Sequence, residues 1–321
     1  MNPVLEQIRK IGIVPVVKID RAADAVPLAK ALIDGGLACA EITFRTDAAE
    51  ESIRNVVREF PNMLVGAGTV LTMAQLDRAV NAGAKFVVSP GFNAEIVKAC
   101  IDRGIPVAPG CSSPSDMEAA LALGLKTVKF FPAENLGGIS MIKAVSAPYV
   151  DLTFMPTGGV NAKNINDYLS FPKVLACGGS WMVEAKLIEA GDFAEITRRT
   201  EEAVNTVLGF SLQHVGVNCE SDQATHDVAK MFSNLFGFPY KPGNSSVFAG
   251  TAVETMTPLP GRGKYGHIAI GTNYMERAMY QLSAKGVKFL DDTAKADAKG
   301  NIKAIYLDMD FSGFAVHLFQ R

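Results

Sequence analysis

A lysine inside an apolar segment carries the clearest chemical signal in this sequence. Lys129 lies in LKTVKFFPAENLGG, where Val128, Phe130 and Phe131 flank it, and this pattern predicts a buried strand. Burial disfavours a charged ammonium group, so we expect a lowered pKa and a free amine that attacks a ketone to form a Schiff base. The protonated Schiff base would stabilise a neighbouring carbanion, which is the chemistry of carbon–carbon bond cleavage. The alternative is a structural lysine whose ammonium group reaches water at the strand end.

A carboxylate on another predicted strand is the natural partner of this lysine. Because side chains alternate along a strand, Glu41, Thr43 and Arg45 share one face of the segment EITFRT, and Phe131 shares the face of Lys129. Glu41 and Lys129 are therefore expected to project into the same barrel mouth, where the carboxylate would move protons. The alternative is an ion pair that only fills the interior.

Two glycine-rich turns indicate an anion site. In PTGGVNAKN and CGGSWMV, the glycines leave backbone N–H groups open to an approaching anion, and Ser180 adds a hydroxyl donor. The turns follow the seventh and eighth predicted strands, where many barrels bind phosphate. The alternative is that Gly158, Gly159 and Gly179 serve ordinary tight turns.

The elements that must position these residues form a repeating pattern. Short β-rich runs alternate with helical stretches, which predicts an α/β fold, a (β/α)8 TIM barrel, over residues 1–208. An open doubly wound sheet is the structural alternative, but no GxGxxG opens the first helix. The eight predicted strands are Ile13–Val17, Ala38–Thr43, Leu64–Gly68, Phe86–Ser89, Pro106–Ala108, Thr127–Phe131, Thr153–Thr157 and Val174–Cys177.

Composition narrows the class of protein. The 321 residues are 48% hydrophobic, enough for two domains, and the formal net charge is -2 without long charged runs. We therefore expect a small-molecule enzyme that binds neither nucleic acid nor membrane. The N-terminus lacks signal-peptide features, so a cytoplasmic location is predicted. The five cysteines show no CxxC spacing, which favours buried thiols over disulfides or a metal cluster.

Seven motifs in the first 208 residues resemble one known family. EITFRT, GAGTVL, VSPGF, PGCSSPSD, KFFPAE, PTGGV and GGSWMV are similar, in this order, to segments of the 2-keto-3-deoxy-6-phosphogluconate (KDPG) aldolases, a family that also cleaves 4-hydroxy-2-oxoglutarate (KHG). The resemblance implies cleavage of KDPG to pyruvate and glyceraldehyde 3-phosphate in the Entner–Doudoroff pathway. It also implies a homotrimer and no cofactor or metal for the aldolase.

The resemblance also implies a role for individual residues. Lys129 would form the Schiff base, and Glu41 would act as general acid and base through a water. Arg45 and Thr69 would hold the keto-acid carboxylate. The CSSP turn departs from the threonines expected in relatives, and this departure bears on substrate preference. The full implied substrate-binding set is Arg45, Thr69, Pro90, Phe131, Gly158, Gly159, Gly179 and Ser180.

Residues 209–321 follow a different pattern, predicted to be a smaller α+β domain. Strand, helix and further strands occur twice, and the strands LQHVGVN and YGHIAIG look alike. Each places a histidine, His214 or His267, in a strand that precedes a helix. This pattern resembles the duplicated βαβββ module of the vicinal oxygen chelate fold of glyoxalases and extradiol dioxygenases.

Four residues of this domain could bind a divalent metal. His214, Glu254, His267 and His317 supply nitrogen and oxygen donors that suit a first-row ion, and the alternative is a metal-free ligand pocket lined by histidines. His317 stands where relatives commonly have glutamate, which bears on metal identity. His226, on the predicted helix, is expected to lie at the surface.

Three functions are compatible with this organisation. The first is a Schiff-base aldolase with an appended domain that binds a metal or small ligand. The second is a keto-acid-binding regulatory protein, in which adducts would form without cleavage. The third is a bifunctional enzyme whose C-terminal domain adds a metal-dependent isomerase or epimerase activity.

Overall fold

Two units make up the chain in a computed structural model, which describes residues 2–259 and 262–321. The first unit ends at Val207 and the second is Leu208–Arg321. The helices up to this division are α1 Pro3–Ile11, α2 Ala25–Asp34, α3 Ala49–Glu59, α4 Met73–Asn81, α5 Ala94–Asp102, α6 Pro114–Ala122, α7 Gly138–Ser146, α8 Ile165–Leu169, α9 Ala185–Ala190 and α10 Phe193–Leu208. The strands are β1 Ile13–Val17, β2 Cys39–Thr43, β3 Leu64–Gly68, β4 Val87–Val88, β5 Val107–Ala108, β6 Thr127–Phe130, β7 Thr153–Pro156 and β8 Cys177–Gly179.

The strands of the first unit form a curled, parallel, barrel-like sheet. Six strands pair in the order β5-β4-β3-β2-β1-β8, and β6 pairs with β7. Parallel bridges from Gly110 to Lys129 and from Thr157 to Gly178 join the two groups. Strands β1 to β3 are buried at every position, as expected when helices cover a parallel sheet. The parallel barrel expected from the alternating pattern is confirmed in this form.

The eighth strand lies further along the chain than the sequence indicates. We expected Val174–Cys177, but β8 is Cys177–Gly179, which pairs with Ile13–Pro15 of β1. The two glycines therefore belong to the strand instead of a turn after it. Glycine is needed there because a Cβ at Gly178 would lie 2.4 Å from Thr157 Oγ1. Close packing against β7, which local sequence does not show, decides this register.

Several helices of the barrel, α1, α4, α5 and α6, begin at a side-chain cap. Asn93 accepts backbone hydrogen bonds at the start of α5, and Ser113 and Asp116 form a reciprocal capping box at the start of α6. The CSSP turn therefore ends in a defined helix cap. Among the described residues, no helix is long and apolar enough to cross a membrane.

All five cysteines are buried free thiols, as predicted. Burial raises the pKa of the Cys100 thiol to about 11 and that of Cys111 to about 12. A neutral thiol is a poor nucleophile, so these side chains pack as small apolar groups.

In its described residues, 208–259 and 262–321, the second unit has one sheet of eight strands and two helices. The helices are α11 Asp222–Phe236 and α12 Met275–Ala284, and the strands are β9 Ser211–Asn218, β10 Tyr240–Pro242, β11 Val247–Ala249, β12 Val253–Met256, β13 Gly266–Thr272, β14 Phe289–Ala296, β15 Ile302–Leu307 and β16 Phe314–Gln320. The strand order is β10-β11-β12-β9-β13-β16-β15-β14. Strand β9 runs parallel to β12, β13 runs parallel to β16, and β9 and β13 pair antiparallel at the centre.

Candidate functional site

The barrel brings the predicted lysine and carboxylate into direct contact. Lys129 on β6 donates a hydrogen bond from Nζ to Glu41 Oε1 on β2 at 3.4 Å. The two residues are 4% and 0% exposed. Gly68 on β3 makes this possible, because a Cβ there would lie 2.1 Å from Glu41 Oε1. The third strand therefore leaves the space that the glutamate side chain occupies.

This pair has the donors and acceptors that proton transfer needs. Glu41 Oε2 is buried and has no hydrogen-bond partner among the described residues, so an acceptor oxygen is left for a reacting group or a water. Lys129 Nζ lies 5.3 Å from the ring centroid of Phe131, which shields the amine. A buried amine beside a buried carboxylate fits a nucleophile with its own proton acceptor.

Arg45 and Thr69 meet at the ends of neighbouring strands. Arg45 Nε donates to Thr69 Oγ1 at 3.4 Å, and Thr69 adopts a left-handed backbone with φ 57°. In the part of the chain that the structure describes, no carboxylate pairs with the exposed Arg45 guanidinium. An exposed arginine that no described carboxylate pairs with, at the ends of the strands, favours a ligand that carries an anionic group.

A cavity of about 380 Å³ lies at the same end of the barrel. Gly158 and Gly159 adopt φ values of 97° and 83°, which strain any residue with a Cβ. Their backbone can therefore approach a ligand closely. Neither Thr69 nor Pro90 lines this cavity. The predicted binding residues that do line it are Arg45, Phe131, Gly158, Gly159, Gly179 and Ser180.

The other residues that line this cavity include Thr157 and Lys18, which the sequence patterns did not single out. Thr157 is buried, and its Oγ1 has no hydrogen-bond partner among the described residues. Lys18 pairs with Asp20 at 2.7 Å at the rim. The position of Thr157 directly before the first GG turn could have indicated that it lines the site. The position of Lys18 directly after a predicted strand could have indicated the same.

Glu134 packs against the glycine turn after β7. Its Cγ would lie 2.4 Å from a Cβ at Gly159, and its carboxylate accepts a hydrogen bond from buried Tyr168. Burial and the bond to Glu134 raise the pKa of Tyr168, so its hydroxyl remains a donor. This contact fixes the turn without using its N–H groups.

A second cluster of titratable side chains lies in the C-terminal unit. His214 Nε2 and His267 Nε2 each lie 3.1 Å from Glu254 Oε2, and the two nitrogens lie 3.1 Å apart. One ligand atom each from His214, His267 and His317 lies within 4.8 Å of the others. The structure therefore brings the four predicted metal ligands together on β9, β12, β13 and β16.

Protonation in this cluster favours metal binding. Burial lowers the pKa of His317 to about 4, so its ring is neutral at pH 7. Its Nδ1 lies 3.0 Å from the Leu318 carbonyl and donates to it, which leaves the lone pair on Nε2. Burial alone would raise the pKa of Glu254, but hydrogen bonds from His214 and His267 hold it well below its usual range. A neutral imidazole and an ionised carboxylate are the forms that bind divalent ions.

The sheet register explains how the cluster forms. Gly216 on β9 pairs with His267 on β13, and a Cβ at Gly216 would lie 2.1 Å from His267 Cε1. The cluster lines a cavity of about 480 Å³. His226, which was expected to lie at the surface, is half-buried: it lines the same cavity and contacts the Tyr240 hydroxyl at 2.5 Å. Side-chain packing of α11 against β10 places it there.

Comparison with known proteins identifies the family to which the barrel belongs. A sequence profile described as KDPG and KHG aldolase matches residues 4–199. A 2-dehydro-3-deoxy-phosphogluconate aldolase of Treponema pallidum is 48% identical over 207 residues, which cover 64% of this chain and 99% of that protein. The KHG/KDPG aldolase of Escherichia coli K12 is 44% identical over 192 residues, 60% of this chain and 90% of that protein.

Solved structures agree with this assignment. The Legionella pneumophila KDPG aldolase, with pyruvate captured as a covalent carbinolamine, is 38% identical with a TM-score of 0.60, over 62% of this chain and 97% of that one. The Zymomonas mobilis ZM4 aldolase with 3-phosphoglycerate is 40% identical with a TM-score of 0.58, over 62% and 94%. Fold and site thus define a Schiff-base-forming carbon–carbon lyase. The chain belongs to the KDPG and KHG aldolase family.

Proposed function

We propose that the barrel, residues 1–208, cleaves KDPG to pyruvate and glyceraldehyde 3-phosphate, and KHG to pyruvate and glyoxylate. The observation that carries this proposal is the buried contact between Lys129 and Glu41, next to Phe131 and a cavity that Gly158, Gly159 and Gly179 line. The names of the relatives support it, because they act on the same sugar acid or on both substrates.

The proposed reaction uses groups of this chain alone. The Lys129 amine adds to the C2 ketone, and loss of water gives an iminium ion. Glu41, through a water, takes the proton of the C4 hydroxyl. The electron pair of the C3–C4 bond then moves into the iminium, which gives an enamine and releases the aldehyde. Protonation of the enamine at C3 and hydrolysis release pyruvate and restore the lysine.

The substrate would lie between two anion sites. Arg45 and Thr69 would hold the C1 carboxylate, the arginine by charge-assisted hydrogen bonds. The N–H groups of the Gly158–Gly159 turn, together with Gly179 and Ser180 at the end of β8, would bind phosphate at the opposite end. The rings of Phe131 and Pro90 would form the walls of the pocket and exclude water from the amine. The proposed set is Arg45, Thr69, Pro90, Phe131, Gly158, Gly159, Gly179 and Ser180.

Trapping with borohydride tests the assignment of the nucleophile. Pyruvate and borohydride should add one reduced pyruvyl group to the wild-type chain, detected by intact mass, and the group should map to the peptide that contains Lys129. Lys129→Ala should give neither adduct nor cleavage. Lys126→Ala is the matched control, because this lysine precedes the same strand and is exposed. An undiminished adduct in Lys129→Ala would sink the proposal.

We further propose that the barrel assembles as a homotrimer, as is typical of the family that the sequence resembles. Light scattering coupled to size exclusion measures the mass of the full chain directly. A mass near three chains supports the proposal, and a monomer at micromolar concentration contradicts it.

For residues 209–321 we propose a duplicated βαβββ module that binds a divalent metal. The strand order around the central β9–β13 pair supports the duplication, and the His214, Glu254, His267 and His317 cluster supports the metal site. Three imidazoles and one carboxylate suit Zn²⁺, Ni²⁺, Co²⁺ or Fe²⁺ better than Mg²⁺ or Ca²⁺. A metal there would supply Lewis-acid chemistry, making the chain bifunctional.

Metal analysis tests this second proposal. After dialysis against trace metals, the wild-type chain should hold about one divalent ion, measured by mass spectrometry of the elements. His267→Ala should lose that ion while keeping aldolase activity. His226→Ala is the matched control, since His226 lines the same cavity outside the cluster. If the wild-type chain holds no metal, the metal proposal is contradicted, and residues 209–321 would be a metal-free binding or regulatory domain.

A further inference from the structure

An arginine lines the cavity of the second unit together with the histidine cluster. Arg262 Cζ lies 5.1 Å from the ring centroid of Tyr306. The Tyr306 ring centroid lies 4.9 Å from that of His317. One aromatic ring therefore separates the guanidinium from the cluster, and both line one cavity of about 480 Å³.

The charge of Arg262 is not compensated by the protein. Across residues 2–259 and 262–321, no carboxylate forms an ion pair with it, because Glu254 is held by two histidines and Asp222 is exposed in the first turn of α11. Lys295 brings a second cation to the cavity lining. Glu254 and Asp222 also line the cavity, but the Arg262 guanidinium, which forms an ion pair with neither, is open to an oxyanion.

The two ends of the cavity suit different groups of one ligand. First-row divalent ions commonly take about five or six ligands, so four protein donors leave places for ligand oxygens. The planar guanidinium of Arg262 matches a carboxylate in a bidentate arrangement. The volume lies in the range typical of small-molecule sites.

We propose that this cavity binds a small 2-oxo dicarboxylic acid, with its distal carboxylate on Arg262 and its 2-oxo acid end at the histidine cluster. The inference rests on the metal site proposed above and adds its ligand class. The proposed aldolase reaction consumes and releases 2-oxo acids. The second unit would therefore bind a substrate or product of the same chemical class as the first unit.

Cobalt spectroscopy on the full chain tests the ligand class. Co²⁺ bound at the cluster gives d–d absorption that responds to new ligands at the metal, whereas binding in the barrel leaves the band unchanged. The probes are 2-oxoglutarate and 2-oxopentanoate, which differ only by a distal carboxylate in place of a methyl group. In the wild-type chain 2-oxoglutarate should bind roughly tenfold or more tightly than 2-oxopentanoate, since the distal carboxylate gains a charge-assisted hydrogen bond.

Two substitutions test whether the preference for 2-oxoglutarate depends on Arg262 itself or on the general positive charge of this region. Arg262→Gln should reduce the preference to less than about threefold while the cobalt band persists, which shows that the metal site is folded. Lys264→Gln is the matched control, because this lysine also lies over a tyrosine, Tyr265, but does not line the cavity. It should keep the wild-type preference.

The outcomes distinguish this inference from the proposal on which it rests. A cobalt band that neither acid changes overturns the ligand class and leaves the metal site intact. Equal affinities for the two acids, or a preference that survives in Arg262→Gln, overturn the role of Arg262. If the wild-type chain shows no cobalt band that His267→Ala removes, the metal site and this inference both fall, and the aldolase assignment is unaffected.

Discussion

The position of the Glu41 carboxylate depends on a glycine of the neighbouring strand, so Gly68→Ala should impair cleavage without removing the nucleophile. A Cβ at Gly68 would lie 2.1 Å from Glu41 Oε1 and 2.7 Å from Cδ. Glu41 is fully buried, so its carboxylate must move by roughly 1 Å or more, away from its contact 3.4 Å from Lys129 Nζ. The backbone of Gly68 is ordinary strand, so Ala fits the conformation itself.

The expected loss follows from the size of this displacement. A misplacement of about 1 Å in a catalytic group costs roughly 10²-fold in rate, which corresponds to about 2.7 kcal/mol of transition-state stabilisation. Adduct formation with pyruvate should persist, because Lys129 remains in place. Glu41→Gln should show the same division, with a retained adduct and a loss of cleavage of about 10² to 10⁴-fold.

The assay compares two readouts on the same preparations. Cleavage is followed by a coupled lactate dehydrogenase assay for pyruvate, and the adduct by borohydride trapping with intact mass. Gly91→Ala is the matched control, since a Cβ at Gly91 meets no atom within 4 Å. Full cleavage activity in Gly68→Ala would refute the role of Glu41. Equal loss of adduct and cleavage, with an unchanged melting temperature, would refute the separation of the two roles.

Three further outcomes are expected from hydrogen bonds and burial outside the lysine–glutamate pair. Ser113→Ala removes the N-cap hydrogen bond to Asp116 N and should lower the free energy of unfolding by about 1 kcal/mol, measured by urea titration, whereas an unchanged value would contradict the capping role. The five cysteines should react with Ellman's reagent only after denaturation, because all are buried, and fast reaction of the folded chain would refute this. Tyr168→Phe removes the hydrogen bond to Glu134 and should also cost about 1 kcal/mol; the urea midpoint checks it, and no shift would show that the bond contributes nothing.

Local pattern was sufficient for the elements of the barrel. Strands β1 and β3 begin and end where the sequence indicates, because apolar runs closed by glycine or polar residues report burial directly. Strand alternation also placed Glu41 and Arg45 on one face. The departure at β8 has a different cause, since Gly178 and Gly179 look like a turn until β1 and β7 pack against them.

The sequence by itself predicted which side chains could carry chemistry: a lysine in an apolar strand, a carboxylate on an alternating face, and histidines in two similar strands. Tertiary structure alone decided that Glu41 and Lys129 touch, because they are 88 residues apart and parallel strand register sets their distance. It likewise gathered the histidine cluster from separate strands and placed Arg262 beside it. Such contacts depend on glycines in neighbouring strands, whose effect appears only when the strands pair.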